Sequence, residues 1–170
     1  PYYCEENIWH LCQQSEFSGM QPHVVLISNR NRRCAVWCQR AGGPEDAVLW
    51  DYHVVLVCRA AAGWQVWDMD TLLSFPEPFD SYVTASFRAV EAELAAEFRL
   101  LTAKQYIDGF SSDRTHMRNA RGDWLVPPPA WPPIYNGAFG NLMRLTDFSI
   151  AEPGEVLSLD LFRRRFGAAM

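Results

Sequence analysis

Apolar residues in the first part of the chain change from the spacing of a helix to that of strands. Residues 5–14 are predicted to form a helix, because Ile8, Leu11 and Cys12 lie at three- and four-residue spacing. Val24–Ser28 and Ala35–Gln39 are apolar runs typical of strands, joined by a polar turn. The pattern therefore predicts one helix followed by two strands.

The middle of the chain carries its longest apolar run. Val48–Arg59 is predicted to be a long strand and Trp64–Asp70 another, since Ala60–Gly63 is short enough for a hairpin loop. Ser81–Phe98 places apolar side chains on one stripe and is predicted to be mostly helical. Leu100–Ala103 fits either a continuation of that helix or a further strand.

The last part of the chain combines short helices with a long irregular segment. Lys104–Phe110 is predicted to be a short helix, and Leu161–Phe166 the last one, capped by Asp160 and ended by Gly167. Residues 111–136 show no regular pattern and contain a proline-rich run. A loop of this length inside a compact domain is more often functional than not.

Helices at both ends with hairpin strands between them predict an α+β fold, a largely antiparallel sheet flanked by helices, in a single domain over residues 1–170. The net charge of −5 argues against a nucleic-acid partner. No apolar run approaches the ~20 residues that cross a bilayer, and no secretion signal is recognisable, so no membrane partner is expected. Five cysteines without framework spacing predict reduced thiols, hence a cytoplasmic protein, or one that is also nuclear.

Cys4 lies at the start of the first predicted helix. A helix N-terminus lowers the pKa of a thiol, and its free N–H groups can hold an oxyanion. Cys12 and Cys58 lie in apolar patterns that favour buried, inert side chains. Cys34 and Cys38 share a strand face, but their spacing does not favour a zinc site. Cys4 is therefore the candidate nucleophile.

His53 is the candidate base, although a histidine in an apolar strand is more often structural. If Arg59 pairs with Trp64 across the hairpin, His53 lies opposite Asp70, and Asp68 is on the same face. A register shifted by two residues places Asp68 opposite instead. Either register supplies a carboxylate that can orient the imidazole. The loop alone does not choose between them.

The other histidines carry weaker signals. His116 lies in the irregular segment and is either a rival base or a solvated loop residue. His10 and His23 are interpreted as structural, and the histidine spacings contain no metal-binding pair. No phosphate-binding glycine loop is present.

Six segments form an ordered series of motifs: Cys4–Trp9, Trp50–Leu56, Asp68–Thr71, Ser112–Met117, Trp124 with Pro127–Pro129, and Arg165–Gly167. In this order they resemble the motifs of the protein N-terminal glutamine amidohydrolases. The resemblance spans nearly the whole chain, and Trp50–Val54 together with the Cys4 segment is its most specific part. Trp67 occupies a position where the family pattern has a tyrosine, and residues 84–97 do not follow the family pattern.

The resemblance implies a fold related to papain and transglutaminase cores, with a Cys4–His53–Asp68 triad; it selects Asp68 over Asp70. The implied reaction deamidates the side chain of an N-terminal glutamine through a cysteine thioester and releases ammonia. The product, an N-terminal glutamate, enters the N-end rule degradation pathway. No metal or organic cofactor is implied. The implied partners are proteins or peptides with N-terminal glutamine, and a monomer is expected.

Selecting an N-terminal residue requires recognition of its free α-amine, which calls for carboxylates or carbonyls. Glu6 and Asp113 are the candidates, although each equally fits a solvated acid or a helix cap. Two other classes of protein stay open. One is a different thiol enzyme with the same triad, either a cysteine peptidase or a transglutaminase-like acyl transferase. The other is a non-catalytic module that binds through the proline-rich loop and exposed tryptophans.

Overall fold

The computed structural model describes residues 2–137, 141–151 and 153–167. The helices found there are α1 (Cys4–Leu11), α2 (Phe79–Ser86), α3 (Ala103–Gly109), α4 (Leu142–Leu145) and α5 (Leu159–Phe166). The strands are β1 (His23–Ser28), β2 (Cys34–Val36), β3 (Val48–Trp50), β4 (His53–Ala60), β5 (Gly63–Trp67), β6 (Glu77–Pro78), β7 (Glu97–Thr102) and β8 (Glu155–Ser158). No helix among the described residues is long and apolar enough to cross a membrane.

The main sheet has six strands in the order β6-β5-β4-β1-β7-β8, and every neighbouring pair is antiparallel. A separate two-stranded sheet is formed by β2 and β3. The predicted α+β fold with a largely antiparallel sheet is therefore confirmed. The relation to papain and transglutaminase cores is compatible with this architecture and stays a prediction.

Helices cover both faces of the sheet. Val24 and Leu26 of β1 face a core layer that includes residues of α1 and α3, whereas Val25 and Ile27 face the aromatic layer of α2 and α5. Because successive strand residues point to opposite faces, a strand covered on both sides reads as one continuous apolar run. This double burial explains the unbroken apolar sequences of β1 and β4.

The predicted hairpin between β4 and β5 is confirmed, with Arg59 opposite Trp64. Pairing ends at Leu56 and Trp67, so the predicted second strand is too long at its far end. The chain leaves the strand at Asp68. The residues that follow are therefore placed by the turn and not by the hairpin register.

The predicted long strand Val48–Arg59 is wrong, because the chain breaks between two sheets. Its first residues form β3, which pairs with β2, whereas β4 begins at His53 and pairs with β1. Asp51 lies at the break. Its carboxylate accepts the N–H of Tyr52, and its carbonyl accepts the hydroxyl of Ser28. The first of these bonds is local, as in Asx-type turns, and the second ties the break to the end of β1.

The predicted helix Ser81–Phe98 is wrong beyond Ser86, over about two-thirds of its length. α2 ends at Ser86, and β7 begins before Phe98, which confirms the strand alternative for the residues that follow. Phe87 and Phe98 nevertheless pack against each other, with ring centroids 5.0 Å apart. The helical spacing arose because two different elements contribute to the same apolar layer.

Two features at the end of the chain also differ from the predictions. β8 was not predicted, because it is a short edge strand without an alternating pattern. α5 begins at Leu159, and the Ser158 hydroxyl accepts the N–H of Leu161. The prediction that Asp160 is the cap is therefore wrong, since Asp160 lies in the first turn. Gly167 ends the helix as predicted.

Candidate active site

Cys4 is the first residue of α1 and lies against β4. Tyr2 and Tyr3 before it have left-handed backbone conformations, with φ of 67° and 55°, which turn the chain sharply into the helix. Tyr3 supplies no side-chain cap. The first-turn N–H groups, which have no partner within a helix, are therefore available beside the thiol. Cys4 packs in the same core layer as Val54, so the thiol lies against β4, the strand that begins with His53.

The pKa of the Cys4 thiol is raised well above its ordinary value, first by burial and then by the negative charges of Glu5 and Asp70. The prediction of a lowered pKa is therefore wrong for this structure. A helix N-terminus contributes a modest electrostatic effect, whereas desolvation and two nearby carboxylates all favour the protonated thiol. The thiol donates to Glu5 Oε2 across 3.6 Å.

His53 and Asp68 form a buried hydrogen-bonded pair. His53 Nε2–H donates to Asp68 Oδ1 at 2.8 Å, and the two side chains are almost inaccessible to solvent. The Trp50 ring stacks on the imidazole at 5.4 Å and 13°. The other ring nitrogen, His53 Nδ1, is buried without a hydrogen-bond partner among the described residues. Nδ1 is thus the nitrogen left for a reacting group.

Four donors fix the Asp68 carboxylate. Besides His53, it accepts Gln39 Nε2–H at 3.0 Å, the Tyr82 hydroxyl at 2.9 Å and the backbone N–H of Asp70 at 2.9 Å. Burial alone would raise the pKa of Asp68, but the charge and hydrogen bond of His53 and the other donors lower it. Asp68 is therefore held as a carboxylate.

Burial and the partner charge also oppose each other in their effects on the pKa of His53. Burial alone would lower the pKa of His53, but the charge and hydrogen bond of Asp68, followed by the charges of Asp70 and Glu5, raise it. His53, Asp68 and Asp70 also offer metal-ligand atoms within 4.8 Å of one another. The hydrogen bond from His53 to Asp68 accounts for this proximity without a metal, as in an acid–base pair.

A cavity of about 360 Å³ opens over Cys4. Trp50, Tyr52 and His116 form part of its wall, and the exposed side chains of Tyr2 and Leu125 contribute to its rim. His116 and Leu125 come from the irregular segment predicted at 111–136. The long loop therefore shapes the space in front of the thiol.

We call the four residues Cys4, Glu5, Tyr52 and His116 the pocket cluster. Glu5 is fully buried, and the Tyr52 hydroxyl donates to its Oε2 at 3.2 Å. The same hydroxyl lies 3.0 Å from His116 Nε2, and since its proton is directed at Glu5, it accepts the N–H of His116. Burial, followed by the charge of Glu5, raises the pKa of Tyr52, so the hydroxyl stays protonated.

We call Glu6, Arg114 and Trp131 the loop anchor, because they tie the irregular segment to α1. Arg114 Nε donates to Glu6 Oε1 at 2.7 Å, and its Nη2 donates to Glu6 Oε2 at 2.6 Å and to the Trp131 carbonyl at 2.9 Å. The Trp131 indole N–H donates to Glu6 Oε2 at 2.8 Å. Both oxygens of Glu6 are thus engaged by structural partners.

The structure brings together part of the residue set proposed from the sequence. Cys4, His53 and Asp68 lie in one buried region, whereas Asp113 is exposed on the loop and accepts the N–H of Thr115. Sequence reasoning missed Glu5. An acidic residue in the first turn of a helix is usually explained by the helix dipole, so no pattern distinguished it.

Comparison with known proteins identifies the family to which this chain belongs. Residues 1–166 match the N-terminal glutamine amidase family. The protein N-terminal glutamine amidohydrolase of Bos taurus is 38% identical, over 98% of this chain and 85% of its own length. The human protein of the same name is also 38% identical, over 98% and 86%. That of Drosophila melanogaster is 40% identical, over 96% and 85%. On this whole-length match, the chain belongs to the N-terminal glutamine amidase family.

Proposed function

We propose that this protein hydrolyses the side-chain carboxamide of N-terminal glutamine in proteins or peptides, giving N-terminal glutamate and ammonia. The observation that carries the proposal is that Cys4 packs against β4, the strand that begins with His53, and that His53 pairs with Asp68, in a chain of this family. A thiol, an imidazole and an orienting carboxylate are the groups that acyl transfer through a covalent intermediate requires.

The first half of the reaction forms a thioester. The S–H bond of Cys4 breaks, its proton passes to His53 Nδ1, and the sulfur electron pair attacks the δ-carbon of the glutamine. The first-turn N–H groups of α1 stabilise the oxyanion. When the intermediate collapses, the C–N bond breaks, and the proton on Nδ1 passes to the leaving nitrogen, which departs as ammonia.

The second half consumes water. His53 Nδ1 accepts a proton from water as its oxygen attacks the thioester carbon. The C–S bond then breaks, and the proton returns from Nδ1 to the sulfur of Cys4. Asp68 keeps the ring oriented, because its carboxylate accepts Nε2–H throughout. The γ-carboxylate leaves as part of an N-terminal glutamate, and the enzyme is regenerated.

Discrimination against asparagine depends on position. One methylene changes binding in an apolar pocket by only ~1–3 kcal/mol. An asparagine held by its α-amine would place its amide carbon about one bond length short of the Cys4 sulfur. A displacement of this size, about 1 Å, can cost roughly 100-fold in rate. We therefore expect asparagine to bind with little turnover.

The cellular setting of this activity follows from the product. An N-terminal glutamate is a substrate for arginylation and for degradation through the N-end rule pathway, and we propose that role in the cytoplasm, and in the nucleus as well. We also propose that the protein acts as a monomer, because one chain supplies all the residues invoked above.

The test is ammonia release from matched peptides that begin with glutamine, asparagine or acetyl-glutamine, or carry glutamine internally. We expect release from free N-terminal glutamine alone, and its loss in Cys4→Ala. Peptide cleavage without ammonia would indicate a cysteine peptidase, and incorporation of an added amine would indicate an acyl transferase. Activity that survives Cys4→Ala would contradict the proposed nucleophile.

A further inference from the structure

Glu5 is a buried carboxylate beside the nucleophile that the steps above leave without a role. Its Oε2 accepts the Tyr52 hydroxyl and the Cys4 thiol. Its Oε1 is buried without a hydrogen-bond partner among the described residues. Buried acceptors are nearly always satisfied, so an exception calls for an explanation. A ligand that brings an N–H donor would supply one.

A nitrogen already lies near this oxygen on the side of the cavity. His116 Nε2 is 3.4 Å from Glu5 Oε1, and His116 and Tyr52 both line the cavity over Cys4. The His116 side chain is partly exposed, at 18%. Glu5 itself is fully buried and does not line the cavity, so a cationic nitrogen from the cavity would reach Oε1 at the position that His116 Nε2 occupies in this structure.

The size of glutamine fits this position. Four bonds separate its α-nitrogen from its δ-carbon, so the two atoms are at most about 5 Å apart. Glu5 lies 3.6 Å from the Cys4 sulfur, so one glutamine can reach both groups. Glu6 is less suited, because Arg114 and Trp131 already engage its two oxygens. Asp113 is exposed and accepts a backbone N–H of its own loop.

We propose that Glu5, with Tyr52 and His116, forms the subsite for the α-ammonium of the substrate, and that this contact releases the Cys4 thiol for reaction. The inference rests on the proposed function, because it assigns the group that distinguishes an N-terminal glutamine from an internal one. It also differs from the sequence-based candidates Glu6 and Asp113.

The coupling follows from the contacts of the thiol. Cys4 donates to Glu5 in this structure, and the Glu5 charge favours the protonated thiol. An ammonium group beside Glu5 competes for the carboxylate and offsets its charge. The thiol is then free to turn toward His53 Nδ1, where its proton goes while the electron pair stays on sulfur. An acylated or internal glutamine lacks the ammonium and is neither bound nor activated in this way.

The main test measures kcat/KM for a glutamine peptide and for the glutaramoyl peptide, which lacks only the α-amino group. In the wild type we expect a preference of about 100-fold or more for the free amine, the usual consequence of removing one partner of a buried charge pair. In Glu5→Gln the preference should fall to near parity. The control is Glu16→Gln, an exposed residue with the same change of charge, which should keep the wild-type preference.

The second readout is alkylation of Cys4 by iodoacetamide as a function of pH, followed by mass spectrometry of the peptide. The titratable groups that interact with the thiol are Glu5, Asp70, Tyr52 and Tyr106. Arg32 and His116 line the cavity together with Cys4, and His53 begins the strand against which Cys4 packs. Removing the Glu5 charge should shift the profile to lower pH, whereas Glu16→Gln should leave it unchanged. This readout tests the coupling between Glu5 and the thiol, and an unshifted profile in Glu5→Gln would overturn that coupling; the amine preference tests the subsite.

The possible outcomes separate the two proposals. A wild type that releases no ammonia from any glutamine peptide overturns the proposed function and this inference with it. If the wild type is active and folded Glu5→Gln keeps the preference for the free amine, this inference alone is overturned. The same holds if Asp70→Asn loses that preference while Glu5→Gln keeps it. If Glu5→Gln does not fold, Glu5→Asp tests the same point. The aspartate carboxylate lies one methylene farther from the proposed ammonium position. An undiminished preference for the free amine would again overturn the proposed subsite.

Discussion

The neighbouring carboxylates of Glu5 and Glu6, in the first turn of α1, have different surroundings. Glu6, in the loop anchor, receives two hydrogen bonds from Arg114 and one from Trp131. Glu5, in the pocket cluster, receives neutral donors on one oxygen and no hydrogen bond on the other within the described part of the chain. Both are fully buried, so burial alone does not separate them.

The difference lies in how completely each charge is satisfied. A fully paired buried charge rigidifies what it joins, and here it holds the long loop against the helix. An incompletely paired charge is unfavourable for folding and persists where chemistry uses it. Changes in the loop anchor should therefore lower stability first, whereas changes around the thiol should lower activity first.

The largest effect is expected on the catalytic side, in Asp68→Asn. Replacing the carboxylate removes the charge that orients and stabilises the protonated His53, and the same change in a serine protease triad lowers kcat about 10,000-fold. Steady-state ammonia release on a glutamine peptide measures it. Stability should fall by only about 1–3 kcal/mol, because the amide oxygen keeps two of the four donors, and the side chains of Gln39 and Tyr82 can accept from the amide nitrogen instead. A variant with near wild-type kcat would remove Asp68 from the proposed triad.

The next largest effect is expected in the loop anchor, in Arg114→Met. The change leaves Glu6 buried without its cation, which typically costs about 3–5 kcal/mol. Urea unfolding followed by tryptophan fluorescence measures this loss. The double variant Arg114→Met, Glu6→Leu should recover much of it, because no buried charge remains. A single variant within about 1 kcal/mol of the wild type would refute the assigned role of the anchor.

A smaller effect is expected in Trp131→Phe, which removes one donor to Glu6 and keeps the ring. A hydrogen bond to a charged group contributes about 1.5–3 kcal/mol. Trp124→Phe is the matched control, since Trp124 packs its ring face against Arg118 and a phenylalanine preserves that contact. Equal losses of unfolding free energy in the two variants would show that the indole N–H of Trp131 contributes nothing specific.

The smallest effect concerns the pH dependence of the His53–Asp68 pair. Because the pKa of His53 is raised in the folded protein, its protonation contributes fully to the free energy of unfolding below pH 6.5, its ordinary pKa. This contribution is lost as the pH rises through the pKa that His53 has in the folded protein. Because the pKa of Asp68 is lowered in the folded protein, its ionised form contributes fully to the free energy of unfolding above pH 3.8, its ordinary pKa. This contribution is lost as the pH falls through the pKa that Asp68 has in the folded protein. The stability difference between the wild type and Asp68→Asn should therefore be greatest between about pH 3.8 and 6.5. A difference that grows steadily above pH 6.5 would contradict the assigned charge states.

Local patterns predicted the elements that depend on neighbouring residues. The helix that begins at Cys4 and the Arg59–Trp64 pairing of the hairpin follow from short-range spacing and loop length. Predictions failed where distant segments compete for the same residues. The run Val48–Arg59 divides between two sheets, and Phe98 leaves a helical stripe to pair with β1.

The sequence by itself determined that a cysteine begins a helix and that a histidine and a carboxylate lie near it along a hairpin, because these features depend on local spacing. The tertiary structure decided that Asp68 hydrogen-bonds His53, since β5 ends one residue earlier and a turn sets the geometry. It also decided the different hydrogen-bond partners of Glu5 and Glu6. Adjacent helical residues point about 100° apart, so the loop that packs on each one, and not the helix, determines which charge is neutralised.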